Sequence, residues 1–448
     1  TGMAYDNSWN GADQVPERAI QSGLIDRLGS IDTQVGGESS RYSLSANYTS
    51  DTWNASFYAI DTDLSLFSNF TYFLDNPALG DQFEQADDRQ IYGGELFTTL
   101  PLAITEGSSL TLGGQWRFDD IDNVGLYRTQ NLQRFGTIRE DAIESNSYAL
   151  FAQSNIVLSD ALSLSLGGRY DYLDVNVNSD VNANSGSADD GIFTLKAGLK
   201  YLLSEQLTAF ANIGQGYHSN DARGATITVD PVSGDATEPS PLLVKSLGYE
   251  AGVNFTDNKT YNVSAALWRL ELDSELVYVG DAGFTEASRP SERHGIEVSA
   301  YYWISHHVTT DIEAAWTKAR FSDSVEGEGR HIDGTVPGVV SAGLTYFQNS
   351  NQLGFSYTLR GRYLSSRTVE SFDKISPPST FLMNAQVAYR QPMWDVTLEV
   401  LNALDSDDHD IDYFYASRLL GEPEEGIEDL HYHPVEPRNV RLTFSIKY

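Results

Sequence analysis

The feature that most constrains this chain is a side-chain alternation of period two that runs to its last residue. From Pro437 to Tyr448, Val440, Leu442, Phe444, Ile446 and Tyr448 are apolar, and Asn439, Arg441, Thr443, Ser445 and Lys447 are polar or charged. Successive side chains of an extended strand point to opposite faces, so this stretch is a strand with one greasy and one wet side. Two folds satisfy it. In a closed membrane barrel the apolar side meets lipid, the polar side meets the lumen, and the last strand closes against the first. An edge strand of a soluble β-sandwich alternates in the same way.

The same period recurs along the chain. Tyr42, Leu44, Ala46 and Tyr48 alternate with Arg41, Ser43, Ser45 and Asn47. Leu162, Leu164, Leu166, Gly168, Tyr170 and Tyr172 alternate with Ser163, Ser165, Gly167, Arg169 and Asp171. Phe355, Tyr357, Leu359 and Tyr363 oppose Ser356, Thr358, Arg360 and Arg362, and Trp394, Val396, Leu398 and Val400 oppose Asp395, Thr397 and Glu399. Charges on the non-apolar face throughout are incompatible with a dry core between two sheets.

Connections alternate between short and long. Tight turns are expected near Ser50-Asp51, Gly107, Ser159-Asp160, Glu205, Asp257-Asn258, Ser305-His306, Ser350 and Pro392. Long polar loops are expected over 76–87, 122–144, 176–190, 220–240, 281–292, 322–337, 367–379 and 404–437. Short turns at one end and long loops at the other are the outer-membrane pattern, whereas a Greek-key sandwich mixes them. With the final strand and a stub at Thr1–Tyr5, the tally is about eighteen strands.

Composition narrows the functions. A chain of 448 residues usually splits into soluble domains, but a barrel grows by adding hairpins. No run approaches the roughly 18 apolar residues of a membrane helix, and mean hydropathy is −0.34, so a membrane protein of this kind has to be a barrel. The absence of cysteine removes disulfides, thiolate nucleophiles and Cys-based zinc sites. A net charge of −34 argues against nucleic acid as a partner. No nucleophile elbow, P-loop or HExxH occurs, so no enzyme and no cofactor is expected.

Several stretches resemble the barrel of TonB-dependent outer-membrane receptors. They are Ser68-Asn69-Phe70-Thr71-Tyr72-Phe73-Leu74, Gly80-Asp81-Gln82-Phe83, Gly216 to Gly224 (Gly-Tyr-His-Ser-Asn-Asp-Ala-Arg-Gly), and Gly280-Asp281-Ala282-Gly283 followed by Arg289-Pro290-Ser291. The closing Arg441–Tyr448 strand resembles the family's terminal assembly signal, with Tyr for the usual Phe. The resemblance implies an all-β fold, a transmembrane antiparallel β-barrel of the 22-stranded type, of which about 18 strands are present. Residues 1–448 are then the C-terminal portion, about strands 5 to 22, with the N-terminal plug and first strands outside the chain. It also implies a bacterial outer-membrane location and uptake of a scarce nutrient such as a ferric siderophore or other metal chelate. The implied partners are a TonB energy-coupling complex reached through the missing N-terminal segment, the plug domain, outer-membrane lipids and the ligand. A passive porin-like channel and a surface adhesion or structural barrel are the alternatives.

Three sets of residues are candidates for chemistry. Tyr217, His218, Asn220, Asp221 and Arg223 leave a strand for a long loop and offer stacking, donors and a fixed cation to a carboxylate or phosphate, or else pair loop with loop. Nearby Gly214 and Gly216 are expected to relieve crowding where the strand bends. The last loop holds Asp405, Asp407, Asp408, Asp410 and Asp412, then Tyr413, Tyr415, Arg418, His431 and His433. If strand register runs back unbroken from Asn439, the two histidines share an inward face and are possible metal ligands, though no metal is assigned. The Asp run lacks the Gly and closing Glu of an EF-hand loop. Glu271, Asp273, Glu275, Arg289 and Arg293 are expected as ion pairs on the lumen wall.

Overall fold

The computed structural model describes residues 1–448 apart from 12, 258–259, 280–283 and 448, with backbone alone for 276–279 and 284–287. Asn258, the Gly280-Asp281-Ala282-Gly283 stretch and Tyr448 therefore lie outside the described residues.

The chain opens with β1 (Gly2–Asn10), β2 (Val15–Pro16), α1 (Glu17–Gln21), β3 (Gly36–Thr49), β4 (Trp53–Ser68), β5 (Phe83–Pro101), β6 (Ser109–Gln130) and β7 (Gln133–Ser159). Next come β8 (Leu162–Ser179), a short 3-10 turn, β9 (Gly186–Leu202), β10 (Leu207–Ser219), α2 (Ala222–Thr226), β11 (Leu243–Thr256) and β12 (Tyr261–Leu272). After the ribbon β13 (Leu276–Val279) and β14 (Phe284–Ala287) come β15 (Ser291–Ser305), β16 (Val308–Phe321), β17 (Gly338–Phe347) and β18 (Gly354–Leu364). The chain finishes with β19 (Thr380–Arg390), β20 (Trp394–Leu401), β21 (His409–Ser417), β22 (Ile427–Pro434) and β23 (Asn439–Ile446).

Eighteen of these strands form one sheet, and a separate three-stranded sheet joins β2, β22 and β21. The large sheet is an antiparallel meander in chain order, from β1 with β3 through to β20 with β23. Among the described residues no ladder registers β23 against β1.

Residues directly opposite in an antiparallel ladder share a face, so register assigns the two sides. Phe444 faces Val396, Leu442 faces Leu398 and Val440 faces Val400, while Arg441 meets Glu399 and Thr443 meets Thr397. The apolar members are open, with Leu442 71% and Phe444 61% exposed, as lipid-facing side chains must be when only protein surrounds them. At the tight-turn end the rings of Tyr346, Tyr357, Phe355, Tyr389, Trp394 and Phe444 touch in sequence around the wall. Such a girdle marks the membrane interface.

The expected tight turns that lie within the described residues fall where the sequence places them. Two expected long loops do not. β6 and β7 continue as a ribbon to Gln130 opposite Gln133, turning through Asn131 and Leu132 at positive φ. β8 and β9 stay paired up to Val177 opposite Gly186. Crossing a bilayer needs only about 9–11 residues per strand, so strands of 22 and 27 residues stand well clear of it. β8 shows where it emerges. Through Tyr172 its apolar residues hold the lipid face, and from Leu173 onward Leu173, Val175 and Val177 hold the opposite, inner face.

Candidate binding site in the lumen and the extracellular cap

The inward apolar face of β8 has an occupant. The β9–β10 ladder stops at Lys196 opposite Gly214, while β10 stays paired with β11 up to Ser219. Gly214 is the last residue of β10 paired with β9, and Gly216 lies beyond it where β10 is held by β11 alone. The segment beyond turns inward: Tyr217, Ala222 and Ala225 pack on Val175, Ile192, Leu242 and Leu243, and Ala222 also meets Ile121, Ile143 and Val177. Burial of these apolar side chains holds the segment against the lumen wall.

Between this segment and β5–β8 lies a cavity of about 580 Å³. Tyr217, Asn220, Asp221 and Arg223 line it, so the structure brings together these members of the first candidate set. Asp221 caps α2, accepting from the Arg223 backbone N–H at 2.9 Å and from the Arg223 guanidinium Nη2 at 2.6 Å. Burial opposes charge on Asp221, but the Arg223 guanidinium and N–H outweigh it and hold the carboxyl below its usual range. Asn220 donates to the Pro241 carbonyl, fixing the root of the loop. His218 is not among the cavity residues.

The opposite wall carries a pattern that sequence reading missed. Arg117-Phe118-Asp119, Arg139-Glu140-Asp141 and Arg169-Tyr170-Asp171 place Arg-x-Asp on three successive strands. Residues two apart on a strand share a face, so each arginine is clamped by its own aspartate. Arg117 donates Nε and Nη2 to Asp119 at 2.6 Å each, and Arg169 donates Nε to Asp171 at 2.8 Å. Arg139 and Asp141 pair with no exposure at all. In the outer two pairs the acid is covered and the base is open: side-chain exposure is 47% for Arg117 against 12% for Asp119, and 34% for Arg169 against 3% for Asp171. Of these residues Arg117, Asp119 and Asp171 line the cavity, where a rigidly held, forked donor such as Arg117 suits an anionic oxygen-rich guest. The thrice-repeated Arg-x-Asp was the available signal.

The last loop is a structural cap. β21 and β22 pair as a hairpin, and β2 from the first loop adds a third strand. Arg18 donates to Glu422 at 2.9 Å, to Asp429 at 3.2 Å and to the Ser417 carbonyl at 2.9 Å. Tyr415 donates to the Phe70 carbonyl, and Arg418 to the carbonyls of Glu422 and Phe73, which brings in the loop between β4 and β5. Loops beside the first and last strands of the sheet are thereby joined.

The inward-facing histidine pair does not form. β22 belongs to the cap sheet and residues 435–438 separate it from β23, so register does not run back from Asn439. His431 is fully buried, its Nε2 2.7 Å from Ser417 Oγ, its Nδ1 3.0 Å from the Asp429 carbonyl, and its ring stacked on Tyr415. Burial drives its pKa down to about 4. His433 lies 3.7 Å from Asp410. Among the described residues no three His, Asp or Glu side chains converge as metal ligands. The Asp run ties loops: Asp407 pairs with Arg27, Asp412 with Arg367 and His409, and Asp405 accepts the Arg438 N–H. Tyr413 is exposed on the cap surface.

The third set divides. Glu275 pairs with Arg293 at 2.6 Å, but Arg289 pairs with Asp323 and Glu328 in the loops. Glu271 pairs with Arg269 on the outward face rather than on the lumen wall.

An antiparallel barrel with an aromatic girdle, a wet charged lumen and a loop cap defines a bacterial outer-membrane receptor barrel. Residues 2–403 match the family described as TonB dependent receptor-like, beta-barrel, and the chain belongs to that family. It is 22% identical over 284 residues to the ferrichrome outer membrane transporter/phage receptor of Escherichia coli (strain K12), covering 60% of this chain and 36% of that protein. It is 25% identical over 246 residues to the ferric-pyoverdine BN7/BN8 receptor of Pseudomonas putida, covering 49% and 29%. The chain therefore spans about a third of the length of these relatives. The unliganded ferric citrate transporter FecA superposes with a TM-score of 0.75 at 14% identity, over 99% of this chain and 66% of that one. That likeness shows the fold.

Proposed function

We propose that this chain forms the wall and outer mouth of a receptor that takes up a metal chelate, of the ferric siderophore class, across the outer membrane with TonB coupling. The observation that carries the reading is the pair of half-open guanidiniums on the lumen wall, Arg117 and Arg169, clamped by covered aspartates, with Arg117, Asp119 and Asp171 lining the 580 Å³ cavity. In a chain of net charge −34, fixed cations facing the lumen favour an anionic guest over a cationic one. Family membership and the iron-complex receptors among its relatives support the same substrate class. Residues 1–448 are read as the C-terminal barrel portion, about strands 5 to 22, with plug and TonB-contacting segment outside the chain. The lengths of the relatives support that reading.

The test is uptake of an anionic ferric chelate by cells carrying the full receptor. Uptake should stop when the inner membrane is de-energised, and Arg117→Gln with Arg169→Gln should weaken chelate binding at least tenfold, the loss of about 1.4 kcal/mol. Uptake that survives de-energising, with no preference for the chelate, would establish a passive channel instead.

A further inference from the structure

The seam between β9 and β10 leaves a length of strand edge without a neighbour. Below the seam β9 is paired on both sides, with β8 and with β10. The β10 ladder ends at Lys196, whereas the β8 ladder continues to Gly186. In an antiparallel sheet, alternate residues bond to alternate neighbours. Leu195 donates its N–H across the seam to Gln215 Oε1 at 3.2 Å, a side chain standing in for the first missing rung. Ser187, Asp189, Gly191 and Phe193 share the parity of Leu195, so their N–H and C=O groups turn to the same side. Among the described residues no strand ladder meets them there, and the Gly191 N–H turns back to Asp190 Oδ1 at 2.8 Å.

β10 is held away from this edge. Tyr217, which an unbroken ladder would set opposite Phe193, packs inward on the Val175 and Ile192 cluster and hydrogen-bonds with Asp171 and Arg169. The edge stands above the bilayer, since Gly191 is opposite Tyr172, where β8 leaves the lipid. Exposed strand edges are normally guarded by proline, lysine or a bulge. Ser187–Phe193 contains neither residue, and its ladder with β8 has no register shift. Its guard is acid: exposed Asp189 lies opposite Asp174 on the outward face. A second copy of this edge would bring acid against acid, which costs stability, whereas a strand carrying cations would be attracted.

We propose that Ser187–Phe193 is a docking edge for an extended, cationic segment of a partner protein at the cell exterior, which adds to β9 as a strand in the place that β10 leaves. The partner is a polypeptide because a row of N–H and C=O groups repeating every two residues, about 7 Å, is matched by another extended backbone. Main-chain bonds supply the attachment. Lysine or arginine beside Asp189 and Asp174, and an apolar side chain beside the exposed Phe193, supply the choice of partner.

Fluorescence anisotropy of the full receptor in detergent, titrated with a labelled short peptide that alternates lysine and valine, tests this. Asp189→Ser should weaken binding about fivefold through lost charge. Asp189→Pro should weaken it about tenfold further, because only proline also removes an N–H, one that the β8 ladder does not use. The same peptide methylated on alternate backbone nitrogens keeps its charge but cannot complete the rungs. It should bind the unaltered receptor at least about tenfold more weakly, a comparison in which misfolding plays no part. Equal affinity of the methylated and parent peptides, equal affinity of the Ser and Pro variants, or no binding of the parent peptide would overturn the proposal.

Discussion

Tyr415 and His431 stack ring on ring, centroids 3.8 Å apart and planes 12° apart, inside the extracellular hairpin. The stack has no room for hydration of a charged imidazole, which is why burial lowers the His431 pKa to about 4. An unfolded histidine titrates near 6.5, so between these values the open cap takes up a proton that the closed cap refuses. Stability is complete above about pH 6.5 and falls as pH drops toward 4, by up to about 3 kcal/mol. Once rates are corrected for the intrinsic pH dependence of amide exchange, protection over 409–434 should be lower at pH 5 than at pH 7.5. His431→Gln should flatten that difference, and an unchanged pH response in the variant would reject the assignment.

Arg18 is the main tie between the first and last loops, with Glu422, Asp429 and Ser417 as its partners. Its side chain is 17% exposed, so solvent screening is modest. Arg18→Ala should raise local opening of the cap by about 2 kcal/mol, read as faster exchange in 417–430. The global unfolding temperature should hardly move, because the barrel ladders do not involve Arg18.

Asp221 both caps α2 and pairs with Arg223. Asp221→Asn keeps the cap and removes the charge, so about 2 kcal/mol of docking should be lost. Protease cleavage within 222–240 should become faster while the barrel core resists. Equal cleavage rates would show that apolar packing alone holds the segment.

Gly295 lies under Trp268, and an added Cβ would meet both that ring and the Trp316 carbonyl oxygen. Gly295→Ala should lower unfolding stability in detergent by about 1–3 kcal/mol. The same change at Gly234, where nothing lies within 4 Å of the added atom, crowds nothing but is penalised by a φ of +76°. That variant should affect only its own loop.

What the sequence determined by itself was set by neighbours along the chain. Period-two alternation specified strands, their lipid face and the tight turns, because side-chain direction follows from backbone pleat alone. Even the point where β8 leaves the membrane was written there, in the shift of apolar residues from Tyr172 to Leu173, though it reads as a loop until the inner face has something to pack on. Tertiary structure decided what that something is. That β10 parts from β9 at Gly214, that α2 folds onto Ile121, Ile143 and Val175, and that His431 is stacked in a cap rather than turned to the lumen depend on contacts between residues far apart in the chain. Local periodicity has no term for such contacts. The Arg-x-Asp repeat lies between the two cases: its spacing is local, and only tertiary structure brings Arg117, Asp119 and Asp171 to one cavity while burying Arg139 and Asp141 completely.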